Sequence, residues 1–503
     1  MLAPVISWYF RQRYEELQAQ NAAAHRTQEH LFEYLLEHGA ETVYGQKLGF
    51  RDIRSYEQWK QRVPVVEYED LKPWIERTMA DEQGLLWPGE ITWFARSSGT
   101  TGNTAKFIPI SYESLEHTHF QGSRDILTIY CAQYPDTRIF QGKGLLIGGS
   151  HKVNQLNTRS YYGDLSAVLM NHMPLWANLK STPDISIALM DNWEDKLESM
   201  ARSTLNENVT SISGVPTWTL VLFKRLLEIS GKSNMHEVWP NLELFIHGGV
   251  SFTPYRQQFQ ELVPWSGMHY IETYNASEGF FGIQAEKDKA DLLLMSDHGV
   301  FYEFYPVSKG PDHAVPLREV EPGINYAMVI TTNSGLWRYK IGDTVQFSSV
   351  SPYTFRITGR TKLFINAFGE ELVIENADAA IAAACAETGA IVADYTAAPV
   401  YMTESEPGHE WLIEFSQSPA DLGDFTHRLD THLQQNNNDY AAKRYMDLAM
   451  RLPHVKPMPR GTFSAWLKQS GKLGGQHKVP RLCNDRQVLE SILRLLQPER
   501  AGE

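Results

Sequence analysis

Residues 96–106 of the chain are Arg96-Ser97-Ser98-Gly99-Thr100-Thr101-Gly102-Asn103-Thr104-Ala105-Lys106, followed by the apolar Phe107-Ile108-Pro109-Ile110. Glycines let a backbone turn with positive φ and leave its N–H groups accessible, and concave runs of N–H groups bind anions. The hydroxyls add uncharged donors, and Lys106 adds a point charge suited to phosphate oxygens. We therefore predict a loop that holds a polyphosphate, and we expect the β and γ phosphates of ATP.

An alternative interpretation of this stretch is a solvated hairpin or linker, since serine, threonine and glycine are also common in such connections. A Walker loop is excluded, because no window of the chain matches G-x-x-x-x-G-K-[ST]. The loop alone does not decide between a phosphate site and a linker. The choice depends on further motifs that follow it along the chain.

Length and composition set limits on the function. The chain has 503 residues, which suits two or three domains, and its 42% hydrophobic and 21% charged residues are typical of a globular protein. The formal net charge of −14 argues against a general nucleic-acid or anionic-membrane binder. A site for ATP must therefore build its positive potential locally.

The cysteines and the apolar segments indicate the compartment. Cys131, Cys385 and Cys483 are far apart and form no C-x-x-C pair, so we expect neither a disulfide scaffold nor a structural zinc site. Met1 to Phe10 has no preceding basic region and no small-residue cleavage site, so we predict no secretory signal. No apolar run approaches the ~18 residues of a membrane span. We expect a cytoplasmic protein.

Strand-like and helical segments alternate over much of the chain, which indicates an α/β fold with a mostly parallel sheet. The strand-like segments include Leu145 to Ser150, Ser211 to Val215 and Leu242 to Gly249. From about 291 to 360, short β-rich pieces separated by turns predict a small antiparallel sheet or barrel. We predict a large N-terminal domain over 1–362, with this β-barrel-like subdomain at about 291–360, and a smaller α+β domain over 363–503.

The Ser97–Lys106 loop resembles the phosphate loop of the acyl-adenylate-forming superfamily. Within it, the chain is most similar to the acyl-acid amido synthetases, the auxin-responsive Gretchen Hagen type, over about Tyr44 to Arg481. The superfamily loop is usually S-G-T-T-G-x-P-K, whereas here Thr104-Ala105 precede Lys106, with one residue more and no proline. The resemblance implies ATP and Mg²⁺ as cofactors. It also implies phosphate contacts for Ser97, Ser98, Gly99, Thr100, Thr101 and Lys106.

A second motif, Thr273-Tyr274-Asn275-Ala276-Ser277-Glu278-Gly279, resembles the superfamily's Y-G-x-[ST]-E. There the aromatic residue lies near adenine and the glutamate holds Mg²⁺, which suits an ion that takes one or two carboxylates plus phosphate oxygens. The resemblance thus assigns residues 273–278 to the nucleotide and Glu278 to the metal. The earlier His247-Gly248-Gly249-Val250 resembles the turn against adenine, which adds Gly248 and Gly249.

A third motif, Trp337-Arg338-Tyr339-Lys340-Ile341-Gly342-Asp343, resembles Y-R-x-G-D. By this resemblance Asp343 accepts both ribose hydroxyls, a task suited to a carboxylate, which only accepts. The alternative interpretation is a type II turn with a solvated aspartate after a strand.

The remaining motifs lie near or in the C-terminal domain. The stretch Thr358 to Leu372, with Asn366-Ala367-Phe368-Gly369-Glu370-Glu371, resembles the hinge on which that domain moves between two catalytic poses. Arg360 would approach ribose or phosphate, and Thr361-Lys362 would absorb the change in φ and ψ. Gly474 to Arg481 resembles the amido-synthetase Q-x-K-x-P-R and implies a catalytic Lys478 on a mobile domain.

The resemblance implies ATP-dependent activation of a carboxylic acid as an acyl-adenylate, followed by transfer to an amine, which we expect to be an amino acid. Lys478 and Glu278 are the implied catalytic residues. For the acyl pocket the apolar composition favours segments that contain His117, Leu169, Val215 and Trp218. No clear base for the amine stands out, and His117, His119 and His247 are the candidates. A metal site at His117 and His119 is disfavoured, because their spacing puts them on different helix faces.

Two other functions stay open at this point. The same adenylate can react with the thiol of coenzyme A, although the hinge and the C-terminal loop favour an amine. A non-catalytic nucleotide-binding protein is the other reading, although Glu278, Asp343 and Lys478 are all present. We expect a monomer that acts on a small carboxylic acid and an amine, with no nucleic-acid or membrane partner.

Overall fold

The structure, a computed structural model, describes residues 3–97, 106–148, 153–190, 192–250, 252, 255–287, 289–361, 364–401, 406–447, 449–470 and 479–496. They form two compact units. The N-terminal unit is drawn from Met1–Ser97, Lys106–Phe252 and Phe259–Thr361, and the C-terminal unit mainly from Lys362–Glu503. The division lies beside the domain boundary predicted at 362/363.

The helices are numbered in chain order. They are α1 Ala3–Ala22, α2 Ala24–Gly39, α3 Val43–Leu48, α4 Tyr56–Arg62, α5 Tyr68–Met79, α6 Tyr112–Ser114, α7 Phe120–Gln133, α8 Leu165–Asn171, α9 Leu175–Leu179, α10 Ile185–Ala188, α11 Trp193–Thr204, α12 Pro216–Ser230, α13 Met235–Val238, α14 Arg256–Leu262, α15 Ile374–Thr388, α16 Leu422–Asn436, α17 Asn438–Arg444, α18 Thr462–Gln469 and α19 Gln487–Leu495. Among the described residues, no helix combines the length and the apolar character that crossing a bilayer requires.

The strands are numbered in the same way. They are β1 Trp93–Ser97, β2 Lys106–Ile110, β3 Lys143–Leu146, β4 Asn154–Gln155, β5 Tyr161–Gly163, β6 Ser181–Thr182, β7 Val209–Ser213, β8 Leu244–Gly248, β9 His269–Ala276, β10 Gly279–Gln284, β11 Leu292–Leu294, β12 Val300–Pro306, β13 Val315–Pro316, β14 Asn325–Thr332, β15 Tyr339–Val350, β16 Tyr353–Arg360, β17 Phe364–Ile365, β18 Leu372–Val373, β19 Ile391–Val400, β20 Gly408–Gln417 and β21 His454–Met458.

One twelve-stranded sheet forms the centre of the N-terminal unit, in the order β13-β12-β14-β15-β16-β11-β10-β9-β8-β7-β3-β6. The strands from β6 to β9 along this order are parallel, and α12 is one of the helices between them. Pro216 begins α12, and Gly231 ends it with a φ of 65°. Proline at the first turn and a left-handed glycine after the last are favoured helix limits. The predicted α/β class is confirmed.

The strands of residues 291–360 pair antiparallel, as predicted. They do not form a separate sheet, however, because β11 pairs with both β10 and β16 and so joins them to the parallel strands. The sequence shows the local change in strand length and turn density, but the pairing of β11 with β16 joins segments that are far apart in the chain. A second sheet of the same unit has the order β2-β1-β5-β4.

The C-terminal unit has its own core. Its sheet has the order β19-β20-β21, and β17 pairs with β18. The buried side chains include Phe368 from the predicted hinge motif, Trp411 from β20, and Phe425 and Leu429 from α16. A separate core of this kind is what an independent domain requires.

Arg338 directly precedes β15 with a left-handed φ of 44°. Its buried guanidinium forms a fork on the buried Glu303, with Nη2 2.8 Å from Oε1 and Nε 3.0 Å from Oε2. Nη1 also donates to the carbonyl of Val63 at 2.6 Å. Tyr56 Oη and Trp59 Nε1 donate to the same carboxylate at 2.7 and 3.1 Å. Both charges are therefore hydrogen-bonded inside the core.

We predict that Arg338→Leu lowers the free energy of unfolding of the N-terminal unit by about 3–5 kcal/mol, because it leaves the Glu303 carboxylate buried without its cation. Chemical denaturation followed by tryptophan fluorescence measures this loss. The matched control is Arg51→Leu, which breaks a pair 3.2 Å long between side chains that are 76% and 66% exposed. That change should cost less than about 1 kcal/mol. Similar losses in both variants would contradict the prediction.

Candidate active site

The predicted phosphate loop connects β1 to β2, which pair antiparallel with Ser97 opposite Lys106. Ser97 is half-buried at the end of β1. Ser98, Gly99, Thr100 and Thr101 lie outside the described residues, so their phosphate contacts stay predictions. The two strands bring both ends of the loop to one place in the N-terminal unit.

Lys106 begins β2 and is buried. Its ammonium group donates to Tyr339 Oη at 3.3 Å. It also lies 5.7 Å from the ring centroid of Tyr68 and 5.9 Å from that of Tyr339. Aromatic faces attract cations at such distances. Lys106 is therefore held at the start of β2 by two tyrosines that lie outside the phosphate-loop motif.

Glu278 lies in the turn between β9 and β10 and is half-buried. Tyr339 Oη, which accepts from Lys106, donates to Glu278 Oε1 at 3.4 Å. Burial raises the pKa of Glu278, while the positive charge of Lys106 acts in the opposite direction. The Tyr339 hydroxyl thus joins the glutamate predicted for Mg²⁺ to the lysine predicted for phosphate.

Asp343 lies within β15, opposite Arg360 on β16. Arg360 Nε donates to Asp343 Oδ1 at 2.6 Å, and Tyr274 Oη donates to Asp343 Oδ2. Asp343 is buried, which contradicts the alternative of a solvated aspartate in a turn. Burial and the neighbouring Asp343 raise the pKa of Tyr274 well above its usual value. A carboxylate has about four lone-pair sites, so Asp343 retains capacity for further hydroxyl donors.

The glycine turn after β8 lies directly beside the second motif. Gly248 pairs with Thr273 in the β8–β9 register, and a Cβ at Gly248 would lie 2.5 Å from the Thr273 carbonyl oxygen. Thr273 Oγ1 donates to the carbonyl of His247 at 3.2 Å. Gly249 has a φ of 80°. Only glycine fits at Gly248, because any side chain would collide with the neighbouring backbone.

The contacts around Glu278 and those around Asp343 belong to one constellation. The charges of Asp343 and Arg360 both act on the pKa of Glu278. Asn275 is exposed at the end of β9, and Ala276 and Ser277 are half-buried in the same corner. The structure thus brings Lys106, Glu278, Tyr274, Asp343 and Arg360 together. Tyr339 and Tyr68 complete the group.

The candidates for the acyl pocket lie on three different helical elements. His117 is exposed on the π-helical turn Leu115–His119, and Leu169 of α8 packs against the main hydrophobic core. Val215 caps the start of α12, and Trp218 is buried in its first turn. Their role in acyl binding stays a prediction.

A cavity of about 790 Å³ lies elsewhere in the N-terminal unit, along α2 and α4. None of the predicted site residues lines it. Its walls carry Glu29, Glu33, Glu37, Glu41 and Glu57 beside Arg51, Arg54 and Arg318. The excess of carboxylates would repel a polyphosphate, so we do not assign the nucleotide to this cavity.

Lys478 and the glycines before it lie outside the described residues. Among its neighbours, Val479 is buried and Arg481 Nη1 lies 2.6 Å from Asp378 Oδ1. The end of the motif is therefore anchored in the C-terminal unit. The catalytic role of Lys478 stays a prediction.

Two solved structures of ligases share the fold of this chain. The chain superposes on "AtGH3.15 acyl acid amido synthetase in complex with 2,4-DB" with a TM-score of 0.64 and 17% identity, over 97% of this chain and 96% of that one. It also superposes on a 2-hydroxyisobutyryl-CoA ligase with 2-HIB-AMP and CoA, with a TM-score of 0.56 and 15% identity, over 95% and 92%.

Family models identify the family of the chain. The GH3 family N-terminal domain matches residues 13–268, the central domain 293–360 and the C-terminal domain 375–487. The chain therefore belongs to the GH3 family. An indole-3-acetic acid-amido synthetase of Arabidopsis thaliana, GH3.3, is 22% identical and aligns with 91% of this chain and 89% of its own length. The family predicted from the motifs is confirmed.

We predict that Tyr339→Phe raises the half-saturating concentration of Mg·ATP about fivefold, because it removes the hydroxyl between Lys106 and Glu278 and keeps the ring. Nucleotide binding by calorimetry, with and without Mg²⁺, measures the change. The matched control is Tyr68→Phe, which keeps the ring near Lys106 and removes a hydroxyl that accepts the Phe107 N–H at 2.8 Å. We expect the control to stay within about twofold of the native protein. Equal changes in both variants would contradict a special role for the Tyr339 hydroxyl.

Proposed function

We propose that this GH3 protein is an ATP-dependent acid–amino acid ligase that forms an acyl-adenylate and passes the acyl group to an amine, forming an amide. The observation that carries the proposal is the constellation of Lys106, Tyr339, Glu278, Asp343 and Arg360 on neighbouring strands. Glu278 supplies a carboxylate suited to Mg²⁺ and is linked to Lys106 through Tyr339. Asp343 supplies a carboxylate suited to the ribose hydroxyls and is paired with Arg360. Membership of the GH3 family supports the choice of an amine as acceptor.

The residues of the constellation have separate tasks toward the nucleotide. Asp343 accepts the ribose hydroxyls, and Arg360 keeps the carboxylate in place through its 2.6 Å contact. Tyr274 and the Gly248–Gly249 turn lie on the side proposed for adenine. Ser97, the loop after it and Lys106 bind the β and γ phosphates.

Glu278 is the residue that would hold Mg²⁺. A single half-buried carboxylate fits this ion, which takes one or two carboxylates and completes its shell with water and phosphate oxygens. When bound, Mg²⁺ neutralises charge on the phosphate oxygens. Tyr339 orients Glu278 by donating to Oε1, so the carboxylate is in position before the nucleotide arrives.

The reaction has two steps. A carboxylate oxygen of the acid attacks the α-phosphorus of ATP, the bond to the bridging oxygen breaks, and pyrophosphate leaves. The amine then attacks the acyl carbon, AMP leaves with the former carboxylate oxygen, and the nitrogen loses a proton. The protein contributes mainly by positioning and charge stabilisation. Lys478 neutralises charge that develops at the α-phosphate.

The proposed setting is a cytoplasmic monomer that acts on a small carboxylic acid and an amino acid, with no nucleic-acid or membrane partner. The free cysteines Cys131, Cys385 and Cys483 suit a reducing compartment. The net charge of −14 disfavours nucleic acid and anionic lipid. Gel filtration with light scattering tests the monomer.

We predict that Lys478→Ala lowers acid-dependent ATP–pyrophosphate exchange about a thousandfold. An opposite charge at ~4 Å contributes on the order of 4 kcal/mol at an effective dielectric of ~20, if realised only in the transition state. Nucleotide affinity should stay nearly unchanged. Lys468→Ala, at an exposed lysine of α18, is the control and should leave both quantities unchanged. Equal losses of exchange and of binding in Lys478→Ala would assign Lys478 a structural role.

We predict that amino acids, and not coenzyme A, discharge the acyl-adenylate. With an acid that triggers pyrophosphate exchange, each acceptor is supplied alone and AMP release is measured together with amide or thioester by mass spectrometry. We expect amide formation and no thioester above background. Thioester with CoA as sole acceptor would favour the ligase alternative, and nucleotide binding without pyrophosphate release over a broad acid panel would favour a non-catalytic protein.

A further inference from the structure

The segment directly after Lys478 lies along the edge of β19. The Ala397 N–H donates to the Arg481 carbonyl at 2.9 Å, and the Cys483 N–H donates to the Ala397 carbonyl at 2.9 Å. Ala397 and Leu482 also pair in a parallel bridge. β19 is the outer strand of the sheet β19-β20-β21, and a sheet edge leaves N–H and carbonyl groups that need partners. The segment therefore extends this sheet of the C-terminal unit beyond β19.

Two hydrophobic clusters of the C-terminal unit anchor the same segment. Val479 is buried in a cluster that includes Phe463 of α18. Leu482 is buried in the cluster that includes Trp411 of β20. The proline that follows Val479 also favours extended backbone at that residue. The residue next to Lys478 in the chain is thus fixed by the fold.

A threonine of β19 holds the backbone of the segment. Thr396 is fully buried, and its Oγ1 donates to the Pro480 carbonyl at 2.7 Å. This carbonyl belongs to the second residue after Lys478. Consecutive Cα atoms lie ~3.8 Å apart across a trans peptide bond, so a fixed Val479 limits where the Cα of Lys478 can stand.

An ion pair holds the side chain at the end of the motif. Arg481 Nη1 donates to Asp378 Oδ1 of α15 at 2.6 Å, and Tyr395 Oη donates to the same oxygen at 2.7 Å. The Arg481 guanidinium also lies 5.3 Å from the ring centroid of Tyr395. Arg481 is 37% exposed and Asp378 is 44% exposed, so the pair contributes little to stability. What it fixes is the direction in which the segment leaves the edge of β19.

We propose that Thr396 and Asp378 are positioning residues, which fix the segment after Lys478 and so set where this lysine acts during adenylation. The inference rests on the proposed function, because it takes Lys478 to neutralise charge at the α-phosphate. The attraction between two charges falls with their distance, and a group held in place avoids the entropic cost of ordering. Thr396 acts through the Pro480 carbonyl, and Asp378 acts through the Arg481 guanidinium.

The first test compares two substitutions of Thr396. Thr396→Val keeps the branched shape and removes the hydroxyl, whereas Thr396→Ser keeps the hydroxyl. We expect kcat for acid-dependent ATP–pyrophosphate exchange to fall about five- to tenfold in Thr396→Val and less than about twofold in Thr396→Ser. KM for ATP should change less than about twofold in both, because no residue assigned to the nucleotide is altered. Equal kcat values in the two variants would overturn the proposal.

The second test uses Asp378, where the exposure of the pair keeps folding from being at risk. Asp378→Ala should lower kcat about three- to fivefold with KM for ATP unchanged. The matched control is Asp424→Ala, which breaks a pair of 2.9 Å with Arg428 between side chains that are 48% and 39% exposed. The control should leave kcat unchanged. A loss of the same size in both variants would contradict a positioning role for Asp378.

A double variant separates positioning from a general effect on the fold. Neither Thr396→Val nor Asp378→Ala should lower the residual exchange of Lys478→Ala any further, because no lysine is left to position. Exchange of radiolabelled pyrophosphate measures this residual rate. A loss by the same factor with and without Lys478 would refute the proposal.

Hydrogen–deuterium exchange tests the anchoring without any acid. Peptides that contain Cys483 should exchange faster in Thr396→Val than in Thr396→Ser, since the N–H of Cys483 donates to β19. Equal protection in the two variants would overturn the proposal, whether or not the native protein exchanges pyrophosphate. Absence of pyrophosphate exchange by the native protein with every acid would instead count against the proposed function.

Discussion

The candidate site depends on the buried ion pair between Arg338 and Glu303. A left-handed conformation outside glycine costs on the order of 1–3 kcal/mol, and Arg338 adopts it with a φ of 44°. The fork on Glu303 and the contact with the Val63 carbonyl hold it there. The neighbouring backbone is fixed as well, because Val66 N donates to the Arg338 carbonyl and Lys340 N donates to that of Val66. Tyr339, between them, therefore enters β15 in one orientation.

In a chain of net charge −14, the proposed site for a polyanion needs positive charge that is supplied locally. Lys106 and Arg360 supply the positive charge, and each is held by groups that have their own proposed contact with the ligand. Arg360 is paired with Asp343, and Lys106 is linked to Glu278 through Tyr339. Side chains that are already ordered lose less entropy when a ligand binds. The local arrangement thus compensates for the unfavourable overall charge.

The sequence indicates residues that the fold brings together, but it does not indicate the contacts that hold them in place. Asp343, Glu278 and Lys106 each lie in a short motif whose residue types match one chemical task. Tyr68 and Glu303 carry no such pattern, because their partners are far away in the chain and only the folded sheet brings them close. The same holds for the antiparallel strands after residue 291. Their turns are visible locally, but their continuity with the parallel strands depends on the pairing of β11 with the distant β16.

The part of the predicted hinge motif that lies in the C-terminal unit combines left-handed backbone with a buried charge, as the start of β15 does. Gly369 and Glu371 both have positive φ, at 86° and 40°. Between them, the buried Glu370 carboxylate accepts from the N–H groups of Ala367 and Phe368 at 3.2 and 2.6 Å.

His409 completes this arrangement with a contact of 2.8 Å to Glu370 Oε1. Burial would raise the pKa of Glu370, but His409 and the backbone donors lower it below its usual value. A negative charge thus secures the strained loop from within, as the ion pair of Arg338 and Glu303 does before β15. The motif is then accounted for by the shape of the backbone that it imposes, and no contact with a substrate is needed to explain its residues.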